Sequence, residues 1–292
     1  MTHVPVLLEP ALELLAIVPD GIYVDATFGA GGHSRAILQQ LSPSGRLYAL
    51  DADPEAIPRA QALADPRLTF VRANFRELDA VLDRHGVAAI DGALFDLGVS
   101  SMQFDDPERG FSIGKPAELD MRMNPEGGRS AYDVLANASE RELADIFFTY
   151  GEERSARRIA HVIVQRRSAG RLPKTTTEFA SLVAGAVHRP GRRERIHPAT
   201  RVFQALRIVV NDELDALRDG LSAAIARLRV AGRVVVISFH SLEDRIVKQT
   251  FRSDARLERL TPKPRVPSDR EIAENPRARS AKLRAALRRK AS

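Results

Sequence analysis

The chain has no cysteine and no tryptophan among its 292 residues, and aromatic residues make up only 5% of it. Without cysteine it has no disulfides, no thiolate metal ligands and no cysteine nucleophile. The scarcity of aromatics argues against a broad platform on which successive bases could stack. No apolar run reaches the roughly 18 residues that a membrane-spanning helix needs. Glu9 and Glu13 interrupt the first apolar stretch, and no basic stretch precedes it. No signal peptide and no membrane segment are therefore expected, and the expected location is cytoplasmic. What is left, 44% hydrophobic and 28% charged residues, describes a soluble globular protein long enough for one large domain or two ordinary ones.

The formal net charge of +6 is unevenly spread. From Asp254 to Ser292 there are twelve Lys/Arg against five Asp/Glu, a balance of +7, so the other 253 residues sum to −1. Such a tail is either a solvated basic segment or a grip on a polyanion. A second basic cluster supports the grip: Arg154, Arg157, Arg158, Arg166, Arg167 and Arg171 lie on or beside one helical stretch, and Arg189, Arg192, Arg193 and Arg195 in the loop before His197.

Along the chain, short apolar runs, three of the four ending in an acid, alternate with helical patterns. Ile22 to Asp25, Arg46 to Asp51, Leu68 to Val71 and Ile90 to Asp96 read as strands, with helices between them. That alternation means βαβ units and a parallel sheet. It stops after Gly98. Up to about Arg201 no strand is expected: an irregular, glycine- and proline-punctuated stretch from Gln103 to Gly128 is followed by helical signals, among them capping boxes at Ser139/Glu142 and Thr175/Glu178 and the i, i+3, i+4, i+7 set Ala156, Ile159, Ala160, Ile163. Asn211 can cap a long helix from Asp212 to Leu228, and Arg233 to Ser238 is a fifth, buried strand. The proline-rich tail reads as extended or irregular, with room for short strands near Leu257 and Leu283. The expected fold is a doubly wound α/β sheet of residues 1–107 and 206–292, with a helical insertion, 108–205, between its fourth and fifth strands.

In such a sheet, ligands bind beyond the carboxyl ends of the strands. The first strand delivers the turn Asp25-Ala-Thr-Phe-Gly-Ala-Gly-Gly-His-Ser, with glycines where backbone must approach a ligand closely. The dinucleotide pattern Gly-x-Gly-x-x-Gly fits Gly29 and Gly31 but meets Ser34 at its third position. The acid four residues before Gly29 fits the Asp-x3-Gly-x-Gly turn of S-adenosylmethionine-dependent methyltransferases instead. The other strands deliver Asp51, where a carboxylate can accept ribose hydroxyls, then Asn74-Phe75, Asp96 to Ser101, and Ser238 to Ser241. Each has a plainer reading. Asp51 and Asp96 could only cap helices, His33 could be exposed, His240 could be a satisfied core histidine, and Phe75 could be core or cover an adenine ring.

These residues also carry a family resemblance. The glycine turn, Phe95-Asp-Leu-Gly-Val-Ser-Ser, Leu119-Asp-Met-Arg-Met, Tyr150-Gly-Glu-Glu-Arg, His197-Pro-Ala-Thr-Arg, Ser238-Phe-His-Ser-Leu-Glu-Asp-Arg and Asn275-Pro-Arg-Ala-Arg-Ser follow one another over nearly the whole chain. Together they resemble the bacterial 16S rRNA cytosine-N4 methyltransferases. The resemblance implies a Rossmann-like class I methyltransferase sheet and transfer of a methyl group from S-adenosylmethionine to the exocyclic amine of one cytidine in the decoding region of 16S rRNA, within the small ribosomal subunit. It also implies that Gly31, Gly32, His33, Asp51, Phe75, Asp96 and Gln103 contact the cofactor and that the insertion recognises RNA. No metal is implied.

The missing cysteine agrees with it, because ring-carbon methylation of cytosine usually passes through an enzyme thiolate adduct. An exocyclic amine is a poor nucleophile, helped by acceptors for its N–H bonds and by alignment with the methyl donor. The end of strand four reads Asp96-Leu97-Gly98-Val99 where many DNA amino-methyltransferases carry Asn/Asp/Ser-Pro-Pro-aromatic. Asp96 is the candidate catalytic residue, serving the amine, the cofactor's methionine end, or both; Ser100, Ser101 and His240 are candidates for orienting the base. Two rival readings are a nicotinamide-dependent oxidoreductase, disfavoured by Ser34 and the basic tail, and a non-catalytic ribosome-assembly factor.

Overall fold

Each apolar run that ends in an acid becomes a strand leading to a helix. In a computed structural model, which describes residues 5–187 and 197–290, the chain opens with α1 (Leu8–Leu15), β1 (Ile22–Asp25), α2 (Gly32–Gln40), β2 (Arg46–Asp51) and α3 (Ala56–Leu63). Then come β3 (Leu68–Arg72), a 3-10 turn Phe75–Glu77, α4 (Leu78–Arg84) and β4 (Ile90–Asp96). The helices α5 (Ser101–Asp105), α6 (Ala131–Asn137), α7 (Glu140–Gly151), α8 (Ala156–Ser168), α9 (Thr176–Val187) and α10 (Thr200–Asn211) follow. The chain ends with α11 (Glu213–Arg227), β5 (Leu228–Ser238), α12 (Ser241–Ser253), β6 (Leu257–Arg259), α13 (Asp269–Glu274) and β7 (Lys282–Arg288). The loop arginines 189, 192, 193 and 195 lie outside the described residues.

The chain forms two compact units, Met1–Gly98 with Leu214–Ser292, and Val99–Glu213. The breaks fall at 98 and 213 where the sequence suggested 107 and 205. The reasons are local. Val99 packs on the helical core, and α10 runs across the second expected boundary while packing on α7 and α6.

The first unit holds a seven-stranded sheet in the order β3-β2-β1-β4-β5-β7-β6. Strands β1 to β5 pair in parallel. The tail forms the two strands for which its sequence left room near Leu257 and Leu283: β7 pairs antiparallel with β5 from Arg233↔Leu287 to Ser238↔Lys282, and β6 pairs antiparallel with β7. So the sheet is mixed, and the tail supplies an interior strand. β7 can do this because Leu283, Ala285 and Ala286 are small or apolar and fully buried. Ala93, Leu94, Phe95 and Val234 to Ile237 are likewise buried, as expected for central strands covered on both faces. Each large side chain buried there stabilises the fold by roughly 1.5–3 kcal/mol. The strand order reverses between β1 and β4, and the carboxyl ends on either side of that crevice are where a ligand belongs.

In the helical unit, Phe147, Phe179, Phe203, Ile159 and Ile163 are fully or nearly fully buried in one core. Both expected capping boxes form: Ser139 N–H donates to Glu142 at 2.7 Å, and Thr175 N–H donates to Glu178 at 3.2 Å. Asn211 does not cap the next helix. It closes α10, where its side chain donates to the Met121 and Arg207 carbonyls and accepts from Met123 N–H, and Asp212 breaks the helix with φ +50°. Arg167 is also not a free cation: it donates to the carbonyls of Leu135, Ala136 and Ala138 at the end of α6.

Candidate active site

The first-strand turn is built around a buried carboxylate. Asp25, with no exposed surface, accepts from the Ser34 hydroxyl at 2.6 Å and from Thr27 N–H at 3.1 Å. Ser34 therefore stands at the third glycine position because it supplies Asp25 with a partner. Burial pushes the Asp25 carboxyl up to about 6; the charge of Asp51 adds to this, and the bonds from Ser34 and Thr27 oppose it. At Gly31 φ is +75°, and a Cβ would lie 2.8 Å from the Phe28 ring. At Gly32 a Cβ would lie 2.3 Å from Pro5. Neither position accepts a side chain without displacing Phe28 or Pro5, so the turn is kept to bare backbone. His33 follows in the first turn of α2 and is 5% exposed, which removes the reading of it as a surface residue.

Asp51 closes β2 and is half-buried. One of its oxygens accepts from Gly29 N–H at 2.7 Å and the other from Asp53 N–H at 2.9 Å. It thus ties the glycine turn to the second strand, and each oxygen keeps a further lone pair for a ligand donor. Burial raises its pKa, with those two N–H bonds opposing. Phe75, on the turn after β3, is half-buried and meets Phe95 edge to face at 5.8 Å. Asp96 ends β4, fixed there because its N–H donates to Thr27 Oγ1 at 2.6 Å. Its Oδ2 lies 3.5 Å from His33 Nδ1, while its Oδ1 is buried with no hydrogen-bond partner among the described residues. Burial raises the Asp96 carboxyl well above the ordinary range, and the charges of Asp25 and Glu243 raise it further.

At the end of β5, His240 caps α12. Its Nδ1 accepts from Glu243 N–H at 3.4 Å, and its Nε2 lies 3.1 Å from Glu243 Oε1 without a hydrogen bond among the described residues. Glu243, 2% exposed, accepts in return from Phe239 and His240 N–H. This capping pair, like Thr27, was missed in the sequence; Glu three residues after a strand-end polar residue is the spacing that signals it.

The first unit thus brings together Gly31, Gly32, His33, Asp51, Phe75 and Asp96. Gln103 belongs to the helical unit. There its Oε1 accepts from Ser100 N–H at 2.9 Å and its own N–H donates to the Ser100 hydroxyl, the capping box of α5, so Ser100 is engaged in a cap. Asp51 and Asp96 stand at the strand ends with Asp25 buried beneath the turn, and the burial and mutual repulsion that raise these carboxyls are relieved by a positive charge. A pyrophosphate would be repelled there; a cation is favoured, and the unpartnered Asp96 oxygen is suited to receive one.

A sequence profile of the MraW methylase family matches residues 1–289. The ribosomal RNA small subunit methyltransferase H of Thermomicrobium roseum is 51% identical, over 98% of this chain and 94% of its own. That of Nitrosococcus oceani is 51% identical, over 98% of this chain and 96% of its own. A solved rRNA methylase from Streptococcus thermophilus overlays 99% of both chains with a TM-score of 0.47 at 13% identity, too loose a likeness to bear on function.

Proposed function

Because the chain belongs to the MraW methylase family, we propose that it methylates small-subunit ribosomal RNA with S-adenosylmethionine as donor. The acceptor we propose is the exocyclic N4 amine of one cytidine in the decoding region of 16S rRNA, with the small ribosomal subunit as partner and the cytoplasm as setting. The observation that carries this reading is the full-length match, at about half identity, to proteins named ribosomal RNA small subunit methyltransferase H.

The residues present fit the donor. S-adenosylmethionine brings a methyl group on a positively charged sulfur, together with an adenosine and an amino-acid end. The Gly31-Gly32 backbone and the start of α2 at His33 would lie along it. Asp51 would accept from the ribose hydroxyls with its remaining lone pairs, and Phe75 would cover one face of the adenine. Gln103, on the helical unit, is carried as a cofactor contact by the family resemblance alone. The half-buried Asp96 carboxyl would face the cationic end, or its Oδ1 would accept an N–H of the target amine, which favours a pyramidal, attacking nitrogen. His240, held by its cap contact with Glu243 N–H, would orient a base at the end of β5. The acids that suit a sulfonium are the same ones that disfavour the pyrophosphate of a nicotinamide cofactor.

The test is transfer of labelled methyl from S-adenosylmethionine to small subunits lacking the modification, followed by mass spectrometry of the 16S rRNA nucleosides. N4-methylated cytidine is expected. Binding of RNA without transfer would leave an assembly factor, and tight NAD binding without S-adenosylhomocysteine binding would overturn the methyltransferase reading.

A further inference from the structure

Helix α12 separates its charges. Its two acids point inward and are used: Glu243 in the cap of the helix, and Asp244 by Arg284 at 2.6 Å and Lys282 at 3.3 Å. Its cations Arg245, Lys248 and Arg252 are all exposed. At 100° per residue these three fall within about 60° of one another, roughly 4.5 and 6 Å apart along the axis. Ser241 and Gln249 flank them, so the outward face holds three cations and no acid.

The neighbouring edge strand repeats the separation. Arg284 meets Asp244, so the even-numbered residues of β7 face α12. Arg259 pairs with Ala286 in the antiparallel register and therefore points to the same side of the sheet, exposed. Glu258, one residue earlier, points to the opposite side. Among the described residues no carboxylate pairs with Lys248, Arg252 or Arg259. The nearby acid Asp254 is held by Arg256 at 2.7 Å. Attraction of Arg252 to the end of its own helix accounts for one of these cations. It does not account for Lys248 on the same helix or for Arg259 on a separate strand.

We infer that Arg245, Lys248, Arg252 and Arg259 form a track for the RNA phosphate backbone on the catalytic unit itself, apart from the helical insertion. The track starts one turn after His240, at the carboxyl end of β5, and runs along α12 away from the crevice. Substrate RNA lying on it would be led to the strand ends where a base is methylated. Its partner is single- or double-stranded phosphate backbone, read without regard to sequence. The inference rests on the proposed RNA substrate.

The experiment compares the full-length protein with the triple variant Lys248→Gln/Arg252→Gln/Arg259→Gln. A control of equal charge loss carries Arg46→Gln/Arg84→Gln/Arg218→Gln on exposed sites of β2, α4 and α11. Affinity for a decoding-region 16S rRNA fragment is measured from 0.05 to 0.3 M salt, with KM for small subunits and affinity for S-adenosylhomocysteine alongside. The track variant should lose about 2 from the slope of log affinity against log salt and raise KM about tenfold or more. The control variant should keep the parental slope, and both variants should keep cofactor affinity and melting temperature. Equal slopes in all three proteins would overturn the track. So would weakened binding to assembled subunits with unchanged binding to the RNA fragment, since that points to an acidic ribosomal protein as the partner. If the parent itself neither binds RNA nor transfers methyl, the proposed function fails, and the comparison of variants shows this separately.

Discussion

At the scale of single residues, the glycine turn depends on a carboxylate that water does not reach. The acid before Gly29 was legible in the sequence, because strand ends followed by glycine turns place acids there. Its pairing with Ser34 was not, because nothing in the order of residues says that the hydroxyl nine positions on folds back beneath the turn. Asp25 sits at about 6 when folded, against 3.8 for the free side chain. Its proton is thus held more tightly in the folded state. Its contribution to stability is greatest below about pH 4, declines as pH rises to about 6, and is flat above. Replacement by asparagine keeps an oxygen for Thr27 N–H and removes the titration. The stability of Asp25→Asn relative to the parent should therefore rise by about 2 kcal/mol between pH 4 and pH 7. Urea unfolding of both proteins across that range checks it, and a constant difference would mean that Asp25 titrates alike in both states.

At the scale of elements, periodicity and capping were read well because they depend on neighbours within one turn. The α8 stripe is buried throughout and both helical capping boxes form. What sequence could not assign was the role of each arginine in a basic segment, since that depends on the element packed opposite. Arg284 illustrates the difference. As one charge in a basic tail it looks like a phosphate contact; in the fold it is 7% exposed on an interior strand and bonded to Asp244. Burial alone would raise Asp244, but the bond and charge of Arg284, with Lys282, outweigh it and hold the carboxyl below its usual range. Removing one partner leaves the other charge half-buried without compensation. Arg284→Met should cost about 3 kcal/mol in urea unfolding while leaving the salt dependence of RNA binding unchanged. The double variant Asp244→Leu/Arg284→Met should recover most of that loss. A single variant as stable as the parent would show that the pair contributes nothing to holding β7 on α12.

At the scale of the whole molecule, strand order, the helical insertion and the acids converging on one crevice followed from a simple alternation of patterns. The interior position of β7 did not, because an antiparallel strand assembled from a proline-rich tail has no local signature beyond one short apolar run. The resulting protein keeps its two kinds of charge apart. Asp25 is buried and Asp51 and Asp96 half-buried at the strand ends, while Lys248, Arg252 and Arg259, which pair with no carboxylate among the described residues, stand in solvent. Salt acts on these differently, since screening at physiological ionic strength sets in over about 8 Å and reaches exposed charges far more than enclosed ones. Between 0.05 and 0.3 M salt, affinity for S-adenosylmethionine should change less than about twofold. Affinity for 16S rRNA should fall by two orders of magnitude or more if about six phosphates are held. Titration calorimetry with the cofactor and filter binding with the RNA, on one preparation, measure both. A cofactor affinity that falls as steeply as the RNA's would mean that the crevice is open to ions and that its acids act as surface charges. Asp25 and Asp96 argue against that, because exclusion of water is the largest cause of their raised carboxyls, ahead of the neighbouring charges.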